Sequence, residues 1–435
     1  MNPRLPRPRP LQRALALAWC ALALGSAWQP VQANPQGGVV VGGSATIAQP
    51  SPALTQVQQF SQNAVINWQS FSIGSSEAVR FTQPSPTASV LNRVVGNDPS
   101  RILGSLSANG RVYLVNQNGV FVGPDAQIDA AALVMSTADI RTDDFMAGRL
   151  DFTQAGRPGA KIVNEGRITA RDGGLVALVA PGVENRGVIS ARLGQVVLGG
   201  APAFSLDLLG DGMVNILLTP QGMQTITDAS GKPLANYVDT TGRVTAEGGR
   251  IWIGAAQARG IVDSMVHIGG ELRATRVAER GGEITLLGGD SLRVDGQILA
   301  SSADGQGGHI AASAANIALG SSALLDASGA NGGGSVLVGG NYQGKSPVPG
   351  ADSTARTLDV ARGARVQADA TGTKGNGGQI VLWSDDATRF AGSVSARAGS
   401  AGGHGGLMEV SGKKQLAFEG TADASAPNGQ AGTLL

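Results

Sequence analysis

The chain has 435 residues, including 65 glycines and one cysteine, and its formal net charge is +1. Hydrophobic residues make up 42% of the chain, whereas charged residues make up 15%. The near-zero net charge gives no electrostatic basis for binding nucleic acid or an anionic membrane. Disorder is not expected, because disordered chains combine low hydrophobicity with high net charge. This composition is typical of many short buried strands separated by tight turns.

Residues 1–33 have the pattern of a secretory signal peptide. Four arginines form a positive region, and a short apolar run at residues 14–24 follows it. Small residues then precede the bond between Ala33 and Asn34, which is the predicted cleavage site. The only cysteine lies within this segment. The mature chain is therefore predicted to have no disulfides and to depend on packing and backbone hydrogen bonds.

Repeated motifs run through the remainder of the chain. Asn164-Glu-Gly-Arg-Ile-Thr-Ala returns as Asn185-Arg-Gly-Val-Ile-Ser-Ala, and a second aliphatic run follows each copy. Further along, glycine doublets open successive aliphatic runs, and these doublets begin at Gly248, Gly281, Gly307, Gly333, Gly377 and Gly405. Strand-like repeats with a period of roughly 20 to 30 residues indicate a solenoid.

The repeats predict an all-β fold, a right-handed parallel β-helix. In such a fold each coil runs short strands around an aliphatic core, and successive coils stack about 4.8 Å apart. Glycine doublets supply corners where a Cβ atom would clash or where φ is positive. Asn164 and Asn185 are predicted to stack at such corners as an amide ladder. Structural turns are also predicted at Asn92 and at Asn109-Gly110.

Three segments depart from the repeat. Residues 34–90 alternate aliphatic runs with Ser, Gln and Pro, and we predict that they form an N-terminal β cap over the first edge of the solenoid. Residues 202–247 are predicted to form an insertion of β-hairpins outside the helix. Residues 343–356, which contain Pro347 and Pro349, are predicted to form an extruded loop.

Residues 92–140 carry a resemblance to a known family. They place Asn-Gly turns between short β-branched runs, at Asn109-Gly110 and again within Asn116-Gln117-Asn118-Gly119. This pattern resembles the haemagglutination-activity domain at the start of filamentous-haemagglutinin-type exoproteins, which belong to the bacterial two-partner secretion family. Members have an Asn-Pro-Asn-Gly-Ile turn at matching spacing, and Asn67-Trp68-Gln69-Ser70-Phe71 is also similar to the family. The resemblance covers about residues 36–290.

The resemblance implies a domain organisation and a partner. Residues 34–290 are expected to be the two-partner secretion domain. Residues 291–435 are expected to be a glycine-rich continuation of the β-helix, belonging to a longer exoprotein that this sequence truncates. The expected partner is an outer-membrane β-barrel transporter of a Gram-negative bacterium. The expected location is secreted or on the cell surface, after passage through the periplasm and outer membrane.

The resemblance also implies which residues the transporter recognises. The recognition turn corresponds to Asn116, Gln117, Asn118, Gly119 and Val120. Asn116, Asn118 and Gly119 match the family turn directly, whereas Val120 replaces isoleucine. Gln117 replaces the usual proline, which leaves the φ angle at this position less restricted.

The function of the exported protein is open to several interpretations. The first is an adhesin or haemagglutinin, because a long rigid rod displays repeated shallow surfaces to a receptor on a host cell or a neighbouring cell. A second is the stem of a contact-dependent inhibition toxin whose C-terminal domain is missing from this sequence. A third is an exoprotein for haem or iron acquisition. A β-helix enzyme that degrades polysaccharides is the alternative from another class.

The sequence predicts no catalytic residue, no cofactor and no metal site. The glycine doublets precede strands, so phosphate binding lacks the helix N-terminus that it needs. His267, His309 and His404 lie in separate repeats with no paired carboxylates beside them, and a metal site needs convergent ligands. Asp143-Asp144 and Asp385-Asp386 are adjacent pairs, which on a strand point to opposite faces. The enzyme alternative therefore rests on fold analogy alone, and we predict that the protein is not an enzyme.

Overall fold

The structure is a computed structural model, and the residues that it describes are 34–157, 159–207, 215–219, 236–256, 265–277 and 281–435. At 215–219 only the backbone is described. The predicted signal peptide, including Ala33, lies outside this part of the chain. The described residues contain 42 strands, one α-helix, α1 (Thr142–Met146), and one 3-10 turn (Tyr342–Gly344).

The strands are short and follow one another closely along the chain. The first are β1 (Val39–Gly42), β2 (Ala45–Ser51), β3 (Leu54–Gln59), β4 (Asn63–Trp68), β5 (Ala78–Thr82), β6 (Ser89–Val94), β7 (Ser100–Ile102), β8 (Ser105–Ala108), β9 (Arg111–Asn116), β10 (Val120–Val122), β11 (Gln127–Ala130), β12 (Ala132–Ser136), β13 (Leu150–Phe152) and β14 (Lys161–Asn164). The next are β15 (Arg167–Ala170), β16 (Leu175–Ala180), β17 (Gly182–Asn185), β18 (Val188–Ala191), β19 (Gln195–Gly200), β20 (Ala203–Asp207), β21 (Asn215–Thr219), β22 (Val238–Thr240), β23 (Arg243–Thr245), β24 (Arg250–Ala255), β25 (Val266–Ile268), β26 (Glu271–Arg273), β27 (Glu283–Leu287) and β28 (Ser291–Val294). The last are β29 (Gln297–Leu299), β30 (His309–Ser313), β31 (Asn316–Leu319), β32 (Leu324–Asp326), β33 (Ser335–Val338), β34 (Thr357–Val360), β35 (Arg365–Gln367), β36 (Gln379–Ser384), β37 (Ala387–Phe390), β38 (Ser393–Ser395), β39 (Leu407–Gly412), β40 (Gln415–Phe418), β41 (Thr421–Asp423) and β42 (Thr433–Leu434).

Three long sheets run along the molecule, and a typical coil adds one strand to each. Sheet A has 14 strands, in the order β1-β4-β6-β9-β12-β16-β19-β24-β27-β30-β33-β36-β39-β42. Sheet B has 11 strands, in the order β7-β10-β14-β17-β22-β25-β28-β31-β34-β37-β40, and sheet C has 14, in the order β2-β3-β5-β8-β11-β15-β18-β23-β26-β29-β32-β35-β38-β41. Within the three sheets the described neighbours pair in parallel, except for β1 with β4 and β2 with β3. The fold is a parallel β-helix, which confirms the predicted all-β solenoid.

Aliphatic side chains fill the space between the three sheets. Because side chains alternate between the faces of a strand, every second residue points inward. In sheet B the inward column, which is buried and in register from coil to coil, contains Ile162, Val183, Val238, Val266 and Leu292. Each coil adds several such residues, and full burial of one aliphatic side chain stabilises the fold by roughly 1.5–3 kcal/mol. Stacking of coil on coil is therefore the main source of stability.

The six glycine doublets precede six consecutive strands of sheet A, from β24 to β39. In five of them the second glycine lies against the carbonyl oxygen of a glycine one coil earlier. A Cβ atom at Gly334 would lie 2.0 Å from the Gly308 oxygen, and one at Gly378 would lie 2.1 Å from the Gly334 oxygen. No side chain fits at that distance, so glycine is required for the coils to stack. The predicted role of the doublets is confirmed.

The N-terminal cap is shorter than the predicted residues 34–90. The antiparallel strands β1 and β2 cover the first coil. β3, β4 and β5 fall within the predicted cap, yet they pair in parallel with strands of later coils. The alternation of Ser and Gln with aliphatic residues is the ordinary pattern of strands with one face in solvent. The parallel β-helix therefore begins at β3.

The hairpin insertion exists but is also shorter than predicted. β20 and β21 form an antiparallel hairpin, and β13 pairs with β20 to give a three-stranded sheet outside the helix. β22 and β23 lie within the predicted insertion of residues 202–247, yet they belong to sheets B and C. The predicted insertion residues 208–214 and 220–235 lie outside the described residues. α1 and β13 form a second excursion from the coils, which the sequence did not predict.

The outer face of sheet A is apolar beneath these excursions. Its in-register column contains Leu91, Tyr113, Val134, Ala177 and Val197. These side chains form one buried cluster with Phe145 of α1, Phe152 of β13 and Phe204 of β20. The Tyr113 and Phe145 rings meet edge to face at 5.1 Å, and Phe152 stacks on Phe204 at 4.5 Å. Strands that are apolar on both faces are typical of sheets covered on both sides.

The predicted loop at residues 343–356 connects β33 and β34, but it is docked rather than extruded. The Gln343 backbone N–H donates to the Glu409 carboxylate at 2.8 Å. The Thr354 hydroxyl donates to the Asp385 carboxylate at 2.6 Å, and Val348 is buried. These contacts fix both halves of the loop against the strands that follow it.

Candidate functional site

The turn between β9 and β10 is a corner between sheets A and B. The Gly119 N–H donates to the Asn116 carbonyl oxygen at 3.0 Å, which closes the turn. Gly119 has φ +108°, and a Cβ atom there would lie 2.8 Å from the Lys161 carbonyl oxygen. Both the backbone angle and the close approach require glycine. Val120, the next residue, is buried and paired with Ser100 and Ile162 in sheet B.

Asn116 holds this corner from inside. Its side chain is fully buried, and its amide nitrogen donates to the Asp98 carbonyl oxygen and the Ser100 hydroxyl, both at 3.0 Å. Its amide oxygen accepts the backbone N–H of Asn118 at 2.9 Å and the Asn118 side-chain amide at 2.8 Å. An asparagine that bonds the backbone two residues on is a common turn device. Asn116 therefore joins its own turn to the preceding corner.

Gln117 and Asn118 are half-buried and face the surface. The Gln117 side-chain amide donates to the Ala155 carbonyl oxygen at 3.0 Å, and the Asn118 side-chain amide donates to the Gly96 carbonyl oxygen at 3.0 Å. The Arg157 N–H also donates to the Gln117 carbonyl oxygen at 2.8 Å. The turn is thus held between two neighbouring segments, so its geometry is fixed before any partner binds.

A partly exposed patch surrounds the turn, and we name it the corner surface. It consists of Val95, Arg101, Gln117, Asn118 and Phe121. Val95 is 47% exposed, although it is apolar. The Arg101 guanidinium lies 5.2 Å from the centre of the half-buried Phe121 ring. Arginine and aromatic side chains dominate the energetics of many protein interfaces, so this patch has the chemistry of a docking site.

A largely buried ion pair lies beside this surface, and sequence reasoning missed it. Arg93 Nε lies 2.9 Å from both carboxylate oxygens of Asp139. Arg93 Nη1 also donates to the side-chain oxygens of Asn67 and Thr142, at 3.2 and 3.0 Å. The pair forms one wall of a shallow cleft of about 390 Å³. The sequence signal was weak, because Arg93 is one of three polar residues in β6, with Ser89 and Asn92.

The Arg93–Asp139 pair and the turn belong to one continuous region. Asp139 and Gln154 exchange backbone hydrogen bonds at 2.7 and 3.1 Å. Gln154 is followed by Ala155, which accepts the Gln117 side chain. The ion pair therefore fixes the segment that supports one side of the turn at Asn116 to Val120.

The turn predicted at Asn109-Gly110 joins β8 to β9. Asn109 exchanges two 2.7 Å hydrogen bonds with the Gln83 backbone, and Gly110 N–H donates to the Gln83 side chain at 3.0 Å. The turn predicted at Asn92 is wrong, because Asn92 lies within β6 and is fully buried. Its amide oxygen accepts the Trp68 indole N–H at 3.0 Å. The hydrogen bond from Trp68 satisfies the buried side-chain oxygen of Asn92, the residue for which the sequence predicted a turn.

Asn164 and Asn185 stack at the ends of β14 and β17. The Asn164 amide donates to the Asn185 amide oxygen at 2.8 Å, and the Asn185 amide donates to the Thr240 hydroxyl at 3.0 Å. All three side chains are fully buried. The Gly166 N–H donates to the Asn164 amide oxygen at 3.2 Å. The ladder therefore links three coils through their corners.

The sequence analysis predicted that no histidine has paired carboxylates beside it, and this prediction is wrong for His267. His267 lies between Asp239 and Asp295, which neighbouring coils place on either side of its ring. Sequence separation hid this arrangement because each carboxylate lies a whole coil away. Among the described residues no group of three or more His, Cys, Asp and Glu side chains is arranged to hold a metal ion. No helix in the described part is long and apolar enough to cross a membrane.

The chain is similar to known proteins in sequence. The sequence model of the TPS secretion domain family matches residues 31–300. A heme/hemopexin-binding protein of Haemophilus influenzae is 32% identical over 215 residues, which are 48% of this chain and 23% of that protein. Another heme/hemopexin-binding protein of Haemophilus influenzae is 37% identical over 130 residues, which are 30% of this chain and 14% of that protein. The chain therefore matches less than a quarter of the length of these curated relatives.

The chain is also similar to a solved structure. The HMW1 secretion domain from Haemophilus influenzae superposes with a TM-score of 0.73 and 27% sequence identity. The alignment covers 92% of this chain and 100% of that one. The corner surface, the Arg93–Asp139 pair and the Asn164–Asn185 ladder all lie within residues 31–300, the part matched by the family model.

Proposed function

Since the chain belongs to the TPS secretion domain family and is therefore part of a two-partner secreted exoprotein, we propose that it is exported by a cognate outer-membrane β-barrel transporter. We propose that this transporter recognises the chain by binding the corner surface. The observation that carries this proposal is the rigid turn at Asn116 to Val120. Buried hydrogen bonds fix the turn from within, while Gln117 and Asn118 face outward beside Val95 and Phe121. A fixed turn loses little conformational entropy when a partner docks on it.

Replacing the whole turn by alanine does not separate recognition from folding. Asn116 is fully buried and Gly119 has a positive φ angle, so their loss damages the fold itself. The exposed members of the corner surface are better probes. Val95 and Arg101 are both exposed, and the Arg101 side chain contacts the Phe121 ring. An exposed contact of that kind contributes only about 0.5–1 kcal/mol to stability.

The test is a secretion assay in cells that express the transporter. We expect the double variant Val95→Ser/Arg101→Ser to accumulate in the periplasm, with supernatant levels reduced several-fold. The matched control is Arg365→Ser/Arg389→Ser, which changes two exposed side chains on later coils, one in sheet C and one in sheet B. Equal secretion of both double variants would remove the proposed recognition role.

For the exported protein we propose adhesion to a receptor on a host or neighbouring cell. Sheet C supports this proposal, because polar side chains repeat from coil to coil on its outward face. An in-register column on this face contains Ser107, Asp129, Thr169, Ser190 and Thr245. Such a face offers repeated hydrogen-bonding groups to a receptor. The expected result is binding of the purified chain to target cells, measured against the same chain with Thr169→Lys and Ser190→Lys.

The second candidate function is binding of haem or hemopexin by the exoprotein. It is favoured by the two relatives of that name, which match this chain at 32% and 37% identity. The measurement is a titration of the purified chain with haem, followed by absorbance, and with hemopexin, followed by surface binding. Saturable binding of either one supports this function. Binding of neither leaves adhesion as the only proposed function. We propose no enzymatic activity.

A further inference from the structure

His267 connects three consecutive coils of sheet B through its side chain. His267 lies in β25, in register with Asp239 of β22, and Asp295 follows β28 directly. The ring atom Nδ1 lies 3.0 Å from an Asp239 oxygen, and Nε2 lies 3.2 Å from an Asp295 oxygen. Both ring nitrogens therefore face carboxylates, one on the coil before and one on the coil after.

The number of protons on the ring decides whether both contacts are hydrogen bonds. A neutral imidazole carries one N–H and one bare nitrogen, so it donates only once. The imidazolium donates from both nitrogens. Ionised carboxylates accept hydrogen bonds but do not donate them. In the neutral state one carboxylate consequently faces a nitrogen lone pair, and that contact is repulsive.

The charged groups around the ring favour the imidazolium. Asp239 and Asp295 face it directly, and Arg293 donates to Asp295 at 2.6 and 2.9 Å. Arg186 lies near Asp239 but is itself paired with Glu184 and Glu165. Each nearby arginine has another carboxylate partner, so the imidazolium of His267 is the positive charge in direct contact with Asp239.

We propose that Asp239, His267 and Asp295 form a proton-binding staple that locks three coils of the β-helix together. The staple is closed when the ring is doubly protonated and open when the ring is neutral. It acts on a short stretch of backbone ladder, because β22 and β25 have only three residues each. By comparison, β24 in sheet A has six. The staple is independent of how the transporter recognises the chain.

The direction of the pH dependence follows from the ionisation of the two partners. The hydrogen bond to Asp239 raises the pKa of His267, and burial opposes the rise. A raised folded-state pKa gives stability that is complete below the unfolded pKa and is lost as pH rises through the folded value. Burial tends to raise the pKa of Asp239, but the hydrogen bond and charge of His267 lower it overall. The lowered pKa of Asp239 gives stability that is present above the unfolded-state pKa of the carboxylate and is lost as pH falls through the folded-state value. The staple therefore stabilises the fold most at a pH between the pKa of Asp239 and the pKa of His267.

The test uses the full chain and amide hydrogen exchange resolved by strand. As pH rises from 6 to 8.5, we expect opening of β22, β25 and β28 to increase several-fold beyond the intrinsic change in exchange, because the raised pKa of His267 makes its stabilising contribution fall over this range. β36 and β37 serve as internal references. His267→Gln should abolish this pH dependence, because glutamine does not titrate. The control His309→Gln changes a histidine whose ring forms a hydrogen bond with the Ser335 hydroxyl and with no carboxylate among the described residues, and it should keep the wild-type behaviour.

A second measurement keeps the proposal testable if His267→Gln folds poorly. NMR titration should give His267 a pKa above its value in the urea-unfolded chain. Asp295→Asn should lower that pKa, because one of the two carboxylates that favour the imidazolium is gone. A His267 pKa at or below the unfolded value would overturn the proposal. Equal pH dependence of exchange in the wild type and His267→Gln would overturn it as well.

Discussion

Loss of the Arg93–Asp139 ion pair should loosen the excursion that contains α1 and β13 from the outer face of sheet A. The Arg93 and Asp139 side chains are 12% and 13% exposed, and Arg93 Nε bonds both carboxylate oxygens at 2.9 Å. Removing one member of a buried pair leaves the other charge uncompensated, which typically costs about 3–5 kcal/mol. Arg93 keeps neutral partners in Asn67 and Thr142. We therefore expect Asp139→Ala to lower the free energy of unfolding by about 2–4 kcal/mol.

The assay is a double-mutant cycle in urea, made with Arg93→Met, Asp139→Ala and the double variant. Direct contacts of this kind give coupling energies of about 0.5–3 kcal/mol, and we expect the upper half of that range. The control cycle uses Arg149→Met and Asp144→Ala, a pair at 2.6 Å whose side chains are 59% and 23% exposed. An exposed pair should couple by less than about 1 kcal/mol. Equal coupling in the two cycles would refute the assignment of Arg93–Asp139 as a structural tie.

Two further substitutions test the corners. Gly119→Ala should destabilise by about 1–3 kcal/mol more than Gly148→Ala in urea unfolding, since both positions have positive φ but only Gly119 faces a carbonyl oxygen within 2.8 Å; similar losses would rule out the close approach as a cause. Asn185→Leu should destabilise by about 1–3 kcal/mol, because it leaves the Asn164 amide and the Thr240 hydroxyl without their partner. Wild-type stability of Asn185→Leu would show that the amide ladder contributes nothing.

The features that repeat along the chain were predictable from sequence. The glycine doublets recur once per coil, and in five of the six a glycine one coil earlier leaves no room for a Cβ atom, as between Gly308 and Gly334. The stacking of Asn164 on Asn185 was also predictable, because two copies of one motif occupy the same corner in adjacent coils. Because each repeat forms one coil, residues at equivalent positions of successive repeats lie next to each other. These predictions therefore needed no tertiary information.

The features that were missed depend on contacts between coils or outside them. Asn92 was read as a turn residue because asparagine favours turns, but Trp68 satisfies its amide inside the core. His267 seemed isolated because its two carboxylate partners lie on other coils. The sequence around Arg93 does not indicate Asp139 as its partner. Asp139 lies in the segment between β12 and α1, which has no repeat pattern. Single contacts of this kind leave no periodic trace in a sequence.

Site-specific photo-crosslinking during export tests the central claim most directly. A crosslinking side chain at Gln117, in the corner surface, should capture the outer-membrane transporter. The same side chain at Gln415, an exposed position on the last strand of sheet B, should not. Equal capture from both positions, or efficient export with no capture from Gln117, would contradict recognition at this corner.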